Sequence, residues 1–378
     1  VGSSPAADST LVETTVLHIV PHLGVGGADR VVLDLLGFDD PAVLRDLVVT
    51  EPAGNEWLPD AHATGARIWN LPELLPERYR AEFLLSLIAD RGYDVVHIMN
   101  SRLGYDLTPA MARLDHPPFT VAHLHGEEVN GGGFPRYVAG LHTASISVFC
   151  PSSATLATRL RDYGVPADRI HVVHAGVDTA LYRPRADGSR PEWAEPVVLF
   201  PARLSAEKDP LMFVSVIDAL RDRGIRLRAR MLAGPIQSEV RAKISDAGLG
   251  DRITVVGVAP DMLTEYHAAD VAVLTSQTEG IPLALLEAMS CALPVVAPDV
   301  GSVSEVVDDS VGALVRTRSV QAFADALEPL LRDATLRRAA GTAARERVES
   351  AFSIEGGARR FHDLYAELVT SRTGRPTP

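Results

Sequence analysis

The sequence predicts an α/β protein of two doubly wound parallel sheets in tandem, each with helices on both faces, meeting across a cleft. Three observations carry this prediction. The chain has 378 residues, more than a single hydrophobic core ordinarily serves. Short β-branched runs alternate with longer helical stretches along nearly its whole length, the pattern of parallel strands joined by crossover helices. Near the middle, PRADGSRPEWAEP at 184–196 breaks the alternation with Pro, charge and small residues, as a linker does. The expected units are therefore residues 1–185, residues 186–352, and a terminal helix with its tail at 353–378.

Taken in order, strands of the first unit are expected near Val16–Val20, Leu47–Thr50, Arg67–Asn70, Val95–Ile98, Thr120–His125, Ser147–Cys150 and His171–Val173. The second unit repeats the pattern at Val197–Phe200, Ala229–Leu232, Ile253–Val256, Val271–Thr275, Pro294–Ala297 and Ala313–Val315. Helices fill the gaps, among them Pro210–Arg223 and Val320–Arg332. In the tail, Ile354, Ala358, Phe361, Tyr365 and Leu368 recur at steps of four and three, one face of a helix that Ser353 is placed to cap. That face must bury itself on one unit or the other.

Composition removes several classes of function. The chain is 46% hydrophobic and 22% charged, as a globular protein is, and its net charge is −13. No basic stripe exists to hold nucleic acid, nor a polybasic patch for a membrane surface. The longest apolar candidate for a spanning helix, Ile281 to Pro298, is interrupted by Glu287 and Pro294. The opening VGSSPAADST has no basic-then-apolar signal pattern, so a cytoplasmic location is expected. Cys150 and Cys291 each lie in an apolar segment and read as buried single thiols. Arginine nearly replaces lysine, which makes Lys208 and Lys243 conspicuous.

In open α/β sheets, ligands bind beyond the carboxyl ends of the strands, so chemistry is sought on strand-to-helix turns. Four such segments stand out. SQTEGIPLALLEAM, residues 276–289, places Gly280 and Pro282 where a helix is expected to start just after Glu279, with its free N–H groups facing the cleft. Glu279 then precedes the helix and Glu287 lies inside it; on spacing alone, an ordinary helix with two acids fits equally. FPARLSAEKDP, residues 200–210, offers Arg203 and Lys208 to neutralise a diphosphate, or else a solvated loop paired by Glu207 and Asp209. PHLGVGGADR, residues 21–30, is a glycine-rich turn able to cradle phosphate, but Asp29 stands where a dinucleotide fingerprint needs its third glycine. AHLHGEE, residues 122–128, puts His123 and His125 on one side of a strand, with His125 the candidate for the cleft. No further ligand at metal spacing accompanies them, and no Asp-x-Asp triplet occurs, so no metal or other cofactor is expected.

Together and in this order, the four segments resemble the retaining glycosyltransferases of family 4, which have the GT-B fold. The most specific part is EGIPLALLE, two acids separated by seven residues, followed by AMSCALPVVAPDVGSVSEVV at 288–307; PARLSAEKDP fits the Arg-and-Lys loop. The resemblance implies that Arg203 and Lys208 hold the donor diphosphate, with Gly280, Ile281, Pro282 and Leu283 at the helix start. It implies that Glu279 binds sugar hydroxyls, Glu287 the ribose, and Gly26 and Gly27 the donor from the opposite unit. His125 would meet the sugar near the reacting carbon. Asn100, Arg102, Glu127 and Glu128 would lie on the acceptor side, and the final helix would cross back to the first unit. The donor so implied is a nucleotide sugar, uridine favoured over guanosine; the acids of GEEVNGGGFPRY, residues 126–137, favour a small-molecule acceptor such as an aminocyclitol or natural-product aglycone. One departure is visible: HVVHAGVD, residues 171–178, has His174 and Ala175 where the resembling segment usually reads Pro-Asn.

Overall fold

The computed structural model describes residues 14–24, 27–38, 40, 42–52, 54–126, 133–185, 195–232, 234–257 and 261–373. The first half builds a six-stranded sheet from β1 (Thr14–Val20), β2 (Val43–Val49), β3 (Arg67–Asn70), β4 (Val95–Met99), β5 (Phe119–Leu124) and β6 (Val148–Pro151). The second builds another from β7 (Val197–Phe200), β8 (Arg228–Met231), β9 (Ile253–Val255), β10 (Val271–Val273), β11 (Val295–Pro298) and β12 (Gly312–Val315). The strand orders are β3-β2-β1-β4-β5-β6 and β12-β11-β10-β7-β8-β9, and every pairing is parallel.

Both orders reverse direction once, between β1 and β4 in the first sheet and between β7 and β10 in the second. There the helices after the two strands leave on opposite faces, and the carboxyl ends open a crevice. Gly24 after β1 and Asn100 after β4 therefore share one crevice edge. Lys208 after β7 and Glu279 after β10 share the other.

Central strands of such sheets are covered on both faces and read as unbroken apolar runs. β10, β7 and β11 are buried at every residue, packed with Phe213, Ile217, Leu285, Met289, Phe323 and Leu327 from the flanking helices. The final helix, Ile354–Thr373, belongs instead to the first half. Ala358, Phe361, Leu364 and Tyr365 are buried in one cluster with Val16, Val20, Val95, Val121 and Cys150. Ser353 Oγ accepts from Gly356 N (3.2 Å) at its start, as the capping expectation had it. The preceding helix, Ala334–Ala351, packs in the second half's core, so the chain crosses back between them.

The two crossings are stitched together. Val177 N donates to Phe352 O (2.8 Å) and Ile354 N donates to Val177 O (3.0 Å). A Cβ at Gly176 would sit 2.4 Å from Ser353 O, which is why no side chain fits there.

Two expectations need correction. His171–Val173 is not a seventh strand. His171 N and Val173 N donate to Phe149 O and Pro151 O, but the pairing stops at an isolated bridge because the chain turns away into the crossing. The helix expected just after Glu279 begins at Leu283. Ile281 precedes a proline and is disfavoured from helical geometry, and Pro282 itself is extended, so the first turn closes only beyond it. Cys150 and Cys291 are free and buried, as expected.

Candidate active site

The loop after β7 turns sharply at Asp209, whose φ of 47° is left-handed. Its carboxylate accepts from Met212 N (3.1 Å) and caps the helix Pro210–Asp222. This turn brings Lys208 to face the loop after β10, where Lys208 Nζ lies 2.7 Å from Glu279 Oε1. Ser276 Oγ donates to the same oxygen at 2.6 Å. Two donors thus fix one carboxylate oxygen of a nearly buried acid, and the other has no hydrogen-bond partner among the described residues. Arg203, on the same loop as Lys208, is exposed.

The two loops are joined by backbone as well. Gln277 N donates to Glu207 O (2.8 Å), and Thr275 Oγ1 donates to Asp209 O (2.7 Å). Behind them, Gly301 adopts φ 56° with its Cβ position only 1.9 Å from Glu279 O, so glycine alone lets Ser302 N approach that carbonyl (3.3 Å).

Across the crevice the first half approaches at His125. A Cβ on Gly280 would lie 2.5 Å from His125 O, and Gly126 packs beside it. The sequence motif's glycine is therefore where the two halves touch. Burial pushes the His125 imidazole down to about 4, so it is neutral near pH 7. Its Nε2 has no hydrogen-bond partner among the described residues. A neutral ring of this kind can donate or accept a hydrogen bond across the crevice but carries no charge there. His123 is fully buried behind it, ring centroids 4.1 Å apart. Among the described residues, no group of three or more His, Cys, Asp and Glu is placed to hold a metal ion.

Glu287 lies in the second turn of Leu283–Ser290, half-buried. Tyr266 Oη donates to its Oε2 at 2.6 Å, and Tyr182 hydrogen-bonds it as well. Burial raises this carboxyl, against the tyrosine hydrogen bonds and the charge of Arg30 from the first half. Ile281, Pro282 and Leu283 follow Gly280 directly and carry the chain into the helix start.

The remaining predicted residues are more scattered. Gly27 opens the helix Gly27–Gly37, whereas Gly26, Glu127 and Glu128 lie outside the described residues. Asp29 pairs with His22 (3.7 Å) beside the glycine turn. Asn100 takes a left-handed φ of 52° at the end of β4. Arg102 has Asp106 at 3.7 Å and the Tyr137 ring at 5.2 Å.

Sequence reasoning missed Ser276, Tyr182, Tyr266, Arg30 and Arg318, all of which touch or face the predicted acids and loops. Ser276 carried a weak signal, being three residues before Glu279. The others come from distant segments and had none. His174, noted as a departure, meets Glu305 at 3.2 Å, and Glu305 also accepts from Ala154 N and Thr155 N at 2.8 Å each. That carboxylate joins the two halves.

Two family models match, one to each half: "Glycosyltransferase Family 4" over residues 12–181 and "Glycosyl transferases group 1" over residues 188–347. The chain is 34% identical over 223 residues to the D-inositol 3-phosphate glycosyltransferase of Paenarthrobacter aurescens, covering 55% of this chain and 54% of that protein. It thus spans about half the length of that relative. It is 31% identical over 315 residues to the protein of the same name from Xylanimonas cellulosilytica, covering 75% and 74%. Among solved structures, Anabaena Alr3699/HepE in complex with UDP superposes with a TM-score of 0.79 at 18% identity, over 94% of this chain and 100% of that one. At that identity the likeness speaks for the fold.

Proposed function

The chain belongs to glycosyltransferase family 4, and on that premise we propose that it moves a hexosyl group from a nucleoside diphosphate sugar to a hydroxyl of a small cyclitol-like acceptor. The observation that carries this reading is the convergence of Lys208 and Ser276 on one oxygen of Glu279, at the crevice of the second sheet and against the His125–Gly280 contact. In it Arg203 and Lys208 hold the diphosphate, helped by the backbone N–H groups of Gly280, Ile281 and Leu283 around the helix start. The free oxygen of Glu279 accepts from sugar hydroxyls, and Glu287 accepts from the ribose. Gly26 and Gly27 meet the donor from the first half.

The chemistry follows from what these groups supply. The bond between the anomeric carbon and the β-phosphate oxygen breaks, and the acceptor oxygen bonds to the same carbon from the same face. The departing phosphate oxygen takes the acceptor's proton, so configuration is retained. The protein's share is to stabilise the negative charge growing on the diphosphate, which two cations and a helix N-terminus do. Those charges stand where a metal chelated by an Asp-x-Asp triplet would otherwise be needed, and the sequence has no such triplet.

Uridine is the favoured base, guanosine the next, in keeping with the UDP named for the Anabaena structure. A cyclitol acceptor is in keeping with the inositol phosphate in the names of the two relatives. The direct test is thermal stability with UDP, GDP, dTDP, ADP or NAD, each with and without magnesium. UDP is expected to raise the midpoint equally in both conditions. If no nucleoside diphosphate raises it without magnesium, the reading fails.

A further inference from the structure

Arg318 lies in no segment that the sequence singled out. It follows β12, the edge strand of the second sheet, and reaches past the end of β11 to the loops after β10 and β7. Its Nη2 donates to the Asp209 carboxylate and to Thr275 O (3.1 Å), and its Nε donates to Ser276 O (3.3 Å). One rigid planar group therefore ties together two loops whose roots are 66 residues apart.

What those loops carry makes the tie informative. Lys208 is the residue immediately before Asp209. Ser276 supplies both a carbonyl to Arg318 and a hydroxyl to Glu279. The two donors that fix Glu279 Oε1 thus project from the two backbone arms that Arg318 clasps. Asp209 is held in a left-handed conformation that residues with a Cβ rarely adopt. Its two carboxylate oxygens are divided, Oδ1 capping the following helix and Oδ2 facing Arg318. A lysine could not reproduce this, since an ammonium offers no planar fork to span a carboxylate and two carbonyls.

We propose that Arg318 is a positioning residue of the donor site: acting through Asp209, it sets the spacing between Lys208 and Glu279 that a diphosphate sugar requires. This rests on the donor-site reading above. Arg318 itself need not touch the ligand; its effect passes through Lys208.

The test is a double-mutant cycle read as UDP and GDP dissociation constants by calorimetry, on the full chain, with the melting midpoint recorded for each variant. Arg318→Ala is expected to weaken diphosphate binding about tenfold, and Arg318→Lys to recover only part of it. In a Lys208→Ala background, Arg318→Ala is expected to change affinity less than about twofold, because the residue it positions is gone. Wild-type affinity in Arg318→Ala, or an equal loss with and without Lys208, overturns the proposal. Should Arg318→Ala fold poorly, Asp209→Gly removes the ion pair while glycine accepts the left-handed turn. That variant is expected to bind diphosphate as weakly as Arg318→Ala, and unchanged affinity in it overturns the proposal too. Wild-type protein that binds neither UDP nor GDP overturns the donor-site reading itself, and this inference with it.

Discussion

A single carboxylate oxygen organises the candidate site. Glu279 Oε1 is met by an ammonium at 2.7 Å and a hydroxyl at 2.6 Å, and its carbonyl is met from behind by Ser302 N. Lys208→Ala removes one of these donors together with a cation for the leaving diphosphate. Turnover of the nucleotide sugar with acceptor present should fall about 10²–10³-fold, the usual loss for one preorganised donor. Turnover near that of the unmodified protein would remove Lys208 from the mechanism. Gly301→Ala acts on the same acid from the other side. A methyl group cannot occupy a position 1.9 Å from Glu279 O, and φ 56° disfavours any Cβ. The Glu279 turn must shift, so both the melting midpoint and diphosphate affinity should fall. Lys208 and Glu279 were each legible from the strand preceding them, but their pairing was not, because nothing in a sequence sets the distance between two loops.

At the scale of elements, the seam between the first sheet and the final helix is unusual for its histidines. His18 on β1 and His97 on β4 are register partners, and His123 follows on β5. Their rings lie 5.1 and 5.3 Å apart, beneath Phe361 and Tyr365. Tyr365 Oη and His97 Nδ1 share a hydrogen bond of 2.6 Å. Neither nitrogen of His18 or His123 has a partner among the described residues. Burial pushes His18 down to about 3 and holds His97 and His123 well below their ordinary value. Folded protein keeps these rings neutral while unfolded chain protonates them below about pH 6.5, so each favours unfolding as pH falls, by up to about 1.4 kcal/mol per unit. Asp34, raised to about 6 by burial, works the opposite way over the same range, and burial raises Asp29 and Glu287 as well, three carboxyls against the five lowered imidazoles of His18, His97, His123, His125 and His362. The melting midpoint should therefore drop between pH 7 and pH 5. His18→Leu should flatten that slope, and an unchanged slope would exclude His18 as its source. Sequence alone gave three histidines on three strands of correct type; their common face and the helix covering them follow from parallel register and the return of the tail.

Over the whole molecule, one carboxylate fastens the two halves at several points. Glu305, on the short helix Val303–Val306, accepts from Ala154 N, Thr155 N and Thr155 Oγ1, all at 2.8 Å, and from His174. It thereby caps the helix Ala154–Asp162 of the other half, a negative charge at a helix N-terminus. Ser302 Oγ donates to Ser153 Oγ alongside (2.8 Å). Glu305→Ala removes the capping acceptor of two exposed backbone donors, which water then meets, and should cost about 0.5–2 kcal/mol, seen as a lower melting midpoint. A midpoint unchanged by that substitution would show the clasp to be idle. His174 stands in this contact, which gives the departure from the Pro-Asn pattern a structural setting. Among the described residues no helix is long and apolar enough to cross a membrane.

The two parallel sheets, the strand-to-helix turns that bear the candidate acids and cations, and the amphipathic tail are all legible in the sequence. These depend on local periodicity, turn chemistry and proline, which act over a few residues. The sequence did not determine where the helix after Glu279 starts, because Ile281–Pro282 delays the turn in a way that motif spacing conceals. Nor did it reveal Arg318, Tyr266 or Glu305. Each reaches its partner across strands that neighbour one another only through the doubly wound order, or across the crevice between the halves. Only the tertiary structure decided those contacts, since distances between loops are set by the packing of whole sheets and by the returning helix that binds the second half to the first.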